Sequence, residues 1–221
     1  MLLIALIVIV RLLTMALMPV MDTTEARYSE IARIMAEAGD WVTLQVTLPD
    51  NDYDQPFLAK PPLSTWLSSA SMSLFGVSEL SARLPSLLLG LGVAWLVFIA
   101  IRRRSDTDTA LFGVVVLLST LMYSVQMGAV MTDPSLLLSV ALVMISFWLG
   151  WYSPTRTRWH YLFFVGIGLG MLAKGPVAIV LTGMPVFFWC LLQRRGLIDI
   201  WLRLPWITGI VIALAIALPW Y

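Results

Sequence analysis

Seven apolar runs, most of them close to the roughly 18–20 residues that carry a helix across a bilayer, occupy 2–18, 82–101, 110–130, 135–152, 160–173, 176–192 and 206–221. A chain punctuated in this way has few folds open to it, because inside hydrocarbon every backbone N–H and C=O must be satisfied by the chain itself. Barrel strands would alternate apolar and polar residues, which these runs do not. Gly90, Gly92, Gly166, Gly168, Gly170 and Pro185 within the runs suit spanning helices that pack closely on their neighbours. Composition excludes a water-soluble domain: 60% of the residues are apolar, 12% are charged and the mean hydropathy is +0.89. The expected class is all-α, a polytopic membrane protein with about seven transmembrane helices, the fifth being the shortest.

The charges draw a topology on these spans. Arg102-Arg103-Arg104, the Arg156/Arg158 loop and the stretch from Arg194-Arg195 to Arg203 fall on one side if each run crosses once, and the positive-inside rule makes that side cytoplasmic. The opposite, periplasmic side receives the long segment 19–81, in which Asp22, Glu25, Glu30, Glu37, Asp40, Asp50, Asp52, Asp54 and Glu79 outnumber Arg27, Arg33 and Lys60. It also receives the turns around Asp133 and Lys174. The first run lacks a basic flank and a small-residue cleavage site before Met21, so it reads as a retained span. Arg11, in its middle, is expected to face the bundle interior and find a partner there. Cys190, alone in a span, reads as a packing residue.

Two interfacial helices are expected within 19–81. From Thr23 to Ala38, Tyr28, Ile31, Ala32 and Met35 recur at i, i+3, i+4 and i+7; Glu30/Arg33 and Arg33/Glu37 can pair on the other face, and Gly39 is a stop. The second follows Lys60-Pro61-Pro62, with Pro62 in the first turn, Leu63, Trp66, Leu67, Ala70 and Leu74 along one face, and Gly76 at its end. Between them, 'TLPDNDYDQPF' reads as a polar, turn-rich loop able to gate a substrate.

The strings 'DTTEARYSEIARIMAEAGDWVT', 'FLAKPPLSTWLSSASMSLFG', 'SELSARLPSLLLG', 'MTDPSLL' and 'LAKGPV', in that order and in register with the topology, resemble the membrane module of bacterial GT-C glycosyltransferases. The nearest likeness is to the protein mannosyltransferase-like group that includes the lipid A aminoarabinose transferases. This resemblance covers nearly the whole chain, 1–221. It implies an enzyme that uses a sugar linked to a polyprenyl phosphate at the periplasmic face of the bacterial inner membrane, and it implies further C-terminal helices or a domain in typical relatives that this chain lacks. Two departures stand out. The family commonly has an Asp immediately before the Glu of its Glu-x-Arg-Tyr string, where this chain has Thr24 and places its acid at Asp22; and Ala59 precedes Lys60 where the aminoarabinose transferases typically carry a Glu.

Moving a sugar off a lipid phosphate needs a base at the acceptor and cations at the departing phosphate, whose charge grows in the transition state. Asp22 and Glu25 are the catalytic candidates. Lys60, Lys174 and Arg83 are candidates for the phosphate, and Asp133 for orienting the acceptor or holding a cation. Each also has a plain structural reading. Asp22 can cap a helix through the N–H of Glu25, Asp133-Pro134 matches an N-cap followed by a first-turn proline, and the lysines can snorkel to headgroups.

The expected activity is inverting transfer from a polyprenyl-phosphate sugar to an envelope acceptor such as lipid A, a glycan or a protein. A divalent metal is compatible with the acidic outer face but its ligands are not assigned, and membrane lipids rather than nucleic acid are the expected surroundings. Two other readings stay open at this point: a lipid-linked sugar transporter or flippase, and a non-catalytic subunit that binds polyprenyl phosphate.

Overall fold

A computed structural model describes residues 1–20, 22–47, 54–152, 158–193 and 203–221. Calls made on Arg156, Arg194, Arg195, Asp50, Asp52 and the centre of the polar loop therefore lie outside the described residues. Among those described are ten α-helices and one two-stranded ribbon, arranged as two compact units, Met1–Ser135 and Leu136–Tyr221.

The first unit opens with α1 (Leu2–Leu17) and α2 (Thr23–Ala38). The bounds of α2 are those its sequence predicts, because both stops are local. Asp22 occupies the N-cap in an extended conformation and Gly39 ends the helix at φ 71°, where a side chain would be strained. The capping donor differs from expectation: the Asp22 carboxylate accepts from the N–H of Thr24, not of Glu25. Strands β1 (Gln45–Thr47) and β2 (Asp54–Pro56) then pair antiparallel, with Val46 opposite Gln55. This short ribbon is an addition to the all-α expectation, since three-residue strands are too short to register as a pattern.

Helix α3 (Leu63–Phe75) starts one residue later than expected, with Pro62 at its N-cap, and stops at Gly76 (φ 84°). Its buried face is made of Thr65, Ser68, Ser69, Ser71 and Met72, whereas Leu74 is 78% exposed. The Ser68 hydroxyl donates to the carbonyl of Ala82 and that of Ser69 to the carbonyl of Ala32. Small hydroxyl residues thus bring helices close together while Leu74 turns outward and Leu63 and Leu67 stay half-buried.

Helix α4 (Glu79–Arg102) opens with a capping box between Ser78 and Ser81. The run 110–130 is not one helix: α5 (Thr107–Ser119) and α6 (Leu121–Gln126) are separated at Thr120, which is extended. No Pro or Gly causes the break. The hydroxyls of Ser119 and Thr120 both donate to the carbonyl of Val116, and that of Ser124 to the carbonyl of Leu118, so side chains supply donors that the backbone ladder gives up.

The second unit contains most of α7 (Asp133–Trp151), then α8 (Arg158–Lys174), α9 (Val177–Leu192) and α10 (Trp206–Ala217). Val143, Phe147, Phe163, Phe164, Cys190 and Leu204 form its core, and Arg203 lies 4.6 Å from the centroid of Trp151. Close approach at glycine is literal here: a Cβ at Gly168 would stand 2.9 Å from the carbonyl of Ala213 on α10. Helices α4 and α7 are each long and apolar enough to cross a bilayer, while α1, α5, α9 and α10 are apolar but shorter. Large apolar side chains such as Phe112 (70% exposed) and Ile207 (83%) point away from the protein, a pattern that water would penalise and lipid does not.

Candidate active site

Within the first unit a single buried ion pair gathers four segments. The Nε of Arg83, near the start of α4, donates to Oε1 of Glu25 at 2.7 Å, and its Nη2 donates to Oε2 at 2.9 Å. The side chains are only 5% and 8% exposed. The same guanidinium donates to the carbonyls of Met15, Met18 and Pro19, which closes the end of α1. Glu25 Oε1 also accepts from the backbone N–H of Val130 at 3.1 Å. The connection α1–α2, which carries Asp22, and the connection α6–α7, which leads to Asp133, are thereby fastened to the head of α4. Glu25 does not complete a capping box with Asp22 because its carboxylate is turned inward to this partner.

Arg11 lies on the same side of α1. Its Nη2 donates to the carbonyl of Val125, near the C-terminal end of α6, and its guanidinium fits against Gly128, where a Cβ would lie 2.1 Å from Nη2. The expected inward orientation is met, with a carbonyl rather than a carboxylate as partner.

Asp22 is exposed at the head of α2 and its carboxylate bonds within its own turn. Lys60 is half-buried just before α3 and, among the described residues, makes no side-chain hydrogen bond or ion pair. Asp133 is the first residue of α7 rather than its N-cap, with Pro134 second, where its missing N–H is still harmless. The starts of α3 and α7 meet: the hydroxyls of Ser64 and Ser135 share a 2.8 Å hydrogen bond. Two helix N-termini, both positive by their aligned peptide dipoles, therefore adjoin next to Lys60 and Asp133.

Two side chains that the sequence reading left aside also belong to this face. Tyr28 packs edge-on against Phe57, with centroids 6.1 Å apart. Burial raises its phenol pKa above the ordinary value, with the charge of Arg27 opposing the rise and that of Asp133 adding to it. Arg27 is exposed, and among the described residues makes no hydrogen bond or ion pair. A signal was present: Thr24, Arg27, Tyr28 and Ile31 share one helical face, and Arg27 is the base on α2 that the Glu30–Arg33–Glu37 pairing does not use.

Lys174 stands in the second unit as the last residue of α8, half-buried and followed by Gly175 at φ 68°. The hydroxyl of Tyr221 donates to the carbonyl of Met171 in that last turn, at 3.0 Å. Among the described residues no three His, Cys, Asp or Glu side chains converge on one point to hold a metal ion.

The chain is 32% identical over 203 residues to an undecaprenyl phosphate-alpha-4-amino-4-deoxy-L-arabinose arabinosyl transferase from Enterobacter sp. (strain 638), with 89% of this chain and 34% of that protein covered. It is 30% identical over 215 residues to the protein of the same name from Shewanella sediminis, with 95% and 37% covered. It thus spans about a third of the length of these curated relatives. The crystal structure of ArnT from Cupriavidus metallidurans bound to undecaprenyl phosphate matches with a TM-score of 0.89 at 28% identity, covering 99% of this chain and 40% of that one, and its apo state matches at 0.88. The helical membrane fold is therefore that of ArnT over the length compared. The model of the dolichyl-phosphate-mannose-protein mannosyltransferase family matches residues 59–221, and with three quarters of its length inside that match this chain belongs to the family.

Proposed function

We propose that this chain is the catalytic membrane module of an inverting glycosyltransferase that takes a sugar from a polyprenyl-phosphate donor and transfers it to a cell-envelope acceptor, whether lipid A, a glycan or a protein. The observation that carries the reading is the match over 99% of the chain to a protein crystallised with undecaprenyl phosphate, combined with helix N-termini and, on the same face, a lysine that makes no hydrogen bond or ion pair among the described residues. The relatives' names make an aminoarabinose the first sugar to try. In this reading α1, α4, α5 with α6, α7, α8, α9 and α10 are seven crossings, and the starts of α2, α3 and α7 face the periplasm, opposite Arg102–Arg104.

Asp22 is the general base. It takes the proton of the acceptor oxygen as that oxygen attacks the anomeric carbon from the side opposite the phosphate. The carbon–oxygen bond to the phosphate breaks and polyprenyl phosphate leaves, its growing charge met by Lys60 and by the α3 N-terminus; Lys174, in the second unit, is the other phosphate candidate. Arg27 adds an exposed cation to that face. Glu25 and Arg83 act as positioning residues, since both are enclosed and occupied with each other. Arg11, Glu25 and Arg83, the deep charged groups of the first unit, are held by internal bonds, which favours the enzyme over a transporter that would line a path with them.

Purified Lys60→Met and Lys174→Met variants test the assignment. Methionine keeps most of the apolar stem and removes the charge. Affinity for the lipid-linked sugar and the single-turnover rate should both fall, and Lys60→Arg should recover part of the loss. Unchanged values for both methionine variants would refute the phosphate role.

A further inference from the structure

Helix α2 has a second face. Opposite Tyr28, the side chains of Ser29, Glu30 and Arg33 wall a cavity of about 380 Å³, closed below by Met72 and Ala82 and bounded across by Glu79. Asp22, Lys60 and Asp133 do not line it. Its volume lies in the range of small-molecule sites.

The charges inside are arranged unequally. Arg33 donates from Nε and Nη2 to Glu30 and from Nη1 to Glu37, which uses three of its five N–H groups and leaves two. That contact holds the Glu30 carboxyl below its usual range. Glu79 makes no hydrogen bond or ion pair among the described residues, and the Ser29 hydroxyl has no hydrogen-bond partner among them. The lining thus carries two carboxylates against one guanidinium: a free acceptor on one wall, spare donors on the other, and a small net negative charge. Aromatic residues are absent from the lining.

Depth narrows the ligand further. Glu79 is the first residue of the 24-residue apolar helix α4, so the cavity opens where that helix meets the headgroup layer. Beside it Leu74, Phe75 and Val77 are 78%, 69% and 54% exposed, an apolar rim suited to acyl chains.

We propose that this cavity binds the headgroup of a zwitterionic aminophospholipid, a primary ammonium joined to a phosphate diester, as a lipid site separate from the donor site. The ammonium donates to Glu79, the phosphate accepts from the two remaining N–H groups of Arg33, and the tails follow the Leu74–Phe75–Val77 rim. A quaternary ammonium fits worse, because it has no N–H to give a carboxylate.

The full chain in detergent, titrated with phosphatidylethanolamine, phosphatidylcholine or phosphatidylglycerol and read by native mass spectrometry, tests this. Phosphatidylethanolamine should bind roughly tenfold more tightly than phosphatidylcholine, the equivalent of one charge-assisted hydrogen bond, and phosphatidylglycerol should be the weakest. Glu79→Gln, a surface change, should bring phosphatidylethanolamine and phosphatidylcholine to parity, and Ala26→Phe, which fills the cavity from α2, should weaken both. Equal binding of these two lipids by the wild-type protein, or a preference that survives Glu79→Gln, would overturn the proposal. So would binding of soluble O-phosphoethanolamine without retention of the lipid, which would make the site one for a free amine phosphate.

Discussion

Removing either member of the Glu25–Arg83 pair should destabilise the first unit far more than removing an exposed ion pair. In Glu25→Gln the shape is kept and Oε1 can still accept from Val130, but the new amide NH₂ meets the Nη2 of Arg83, donor against donor. The guanidinium is then left buried with carbonyl partners alone. Breaking one side of a buried pair costs about 3–5 kcal/mol, and Glu25→Gln belongs at the lower end of that range. Arg83→Met belongs at the upper end. It strands the Glu25 carboxylate on one backbone N–H, and it also deprives the carbonyls of Met15, Met18 and Pro19 of their donor, each worth on the order of 1 kcal/mol. Changing both, as Glu25→Gln with Arg83→Met, removes the uncompensated charge, so the double variant should lose no more than the worse single one. The coupling should be at least about 2 kcal/mol. Equilibrium unfolding in mixed micelles measures all four proteins of the cycle. Additive losses, or a single variant within about 0.5 kcal/mol of wild type as exposed pairs often are, would refute the buried clamp.

Other consequences are more local. Asp22→Asn keeps a good N-cap and removes the charge a base needs, so membrane levels should be near normal while transfer falls by about 10²-fold or more; wild-type turnover would leave Asp22 a cap only. Gly128→Ala drives a Cβ to within 2.1 Å of the Arg11 guanidinium, and should lower stability by roughly 1–3 kcal/mol, with Arg11→Met restoring part of it in a thermal melt. With Cys190 replaced by Ser, a single cysteine at Val42 should react with a membrane-impermeant thiol reagent in intact spheroplasts and one at Ser105 should not; equal labelling would reject the periplasmic face.

What could be read from the sequence shares one trait: its causes lie within a turn or two along the chain. Asp22 and Gly39 bound α2, Glu30, Arg33 and Glu37 pair at i+3 and i+4, and Gly76 closes α3, because helix geometry alone brings these groups together. The membrane class follows as directly, since a run of apolar residues needs a solvent of its own kind whatever its neighbours do. The five motif strings carried the family for a similar reason, as they follow one another in a fixed order along the chain.

Tertiary structure alone decided the partners. Arg83 and Glu25 are 58 residues apart, and the Val130 N–H that shares the carboxylate is 105 residues from it. Spacing along the chain cannot say that one acid of the Asp22–Glu25 turn faces inward to a guanidinium while the other stays exposed. The same holds for Arg11, whose acceptor is a carbonyl 114 residues on. Thr120 makes the point from the other side: its neighbourhood reads as one apolar span, and the break appears only where hydroxyls take over backbone carbonyls. Apolar content sets which solvent each segment meets, whereas desolvated charges and broken ladders must be satisfied by whatever packing brings within hydrogen-bond reach, and only the folded chain determines that.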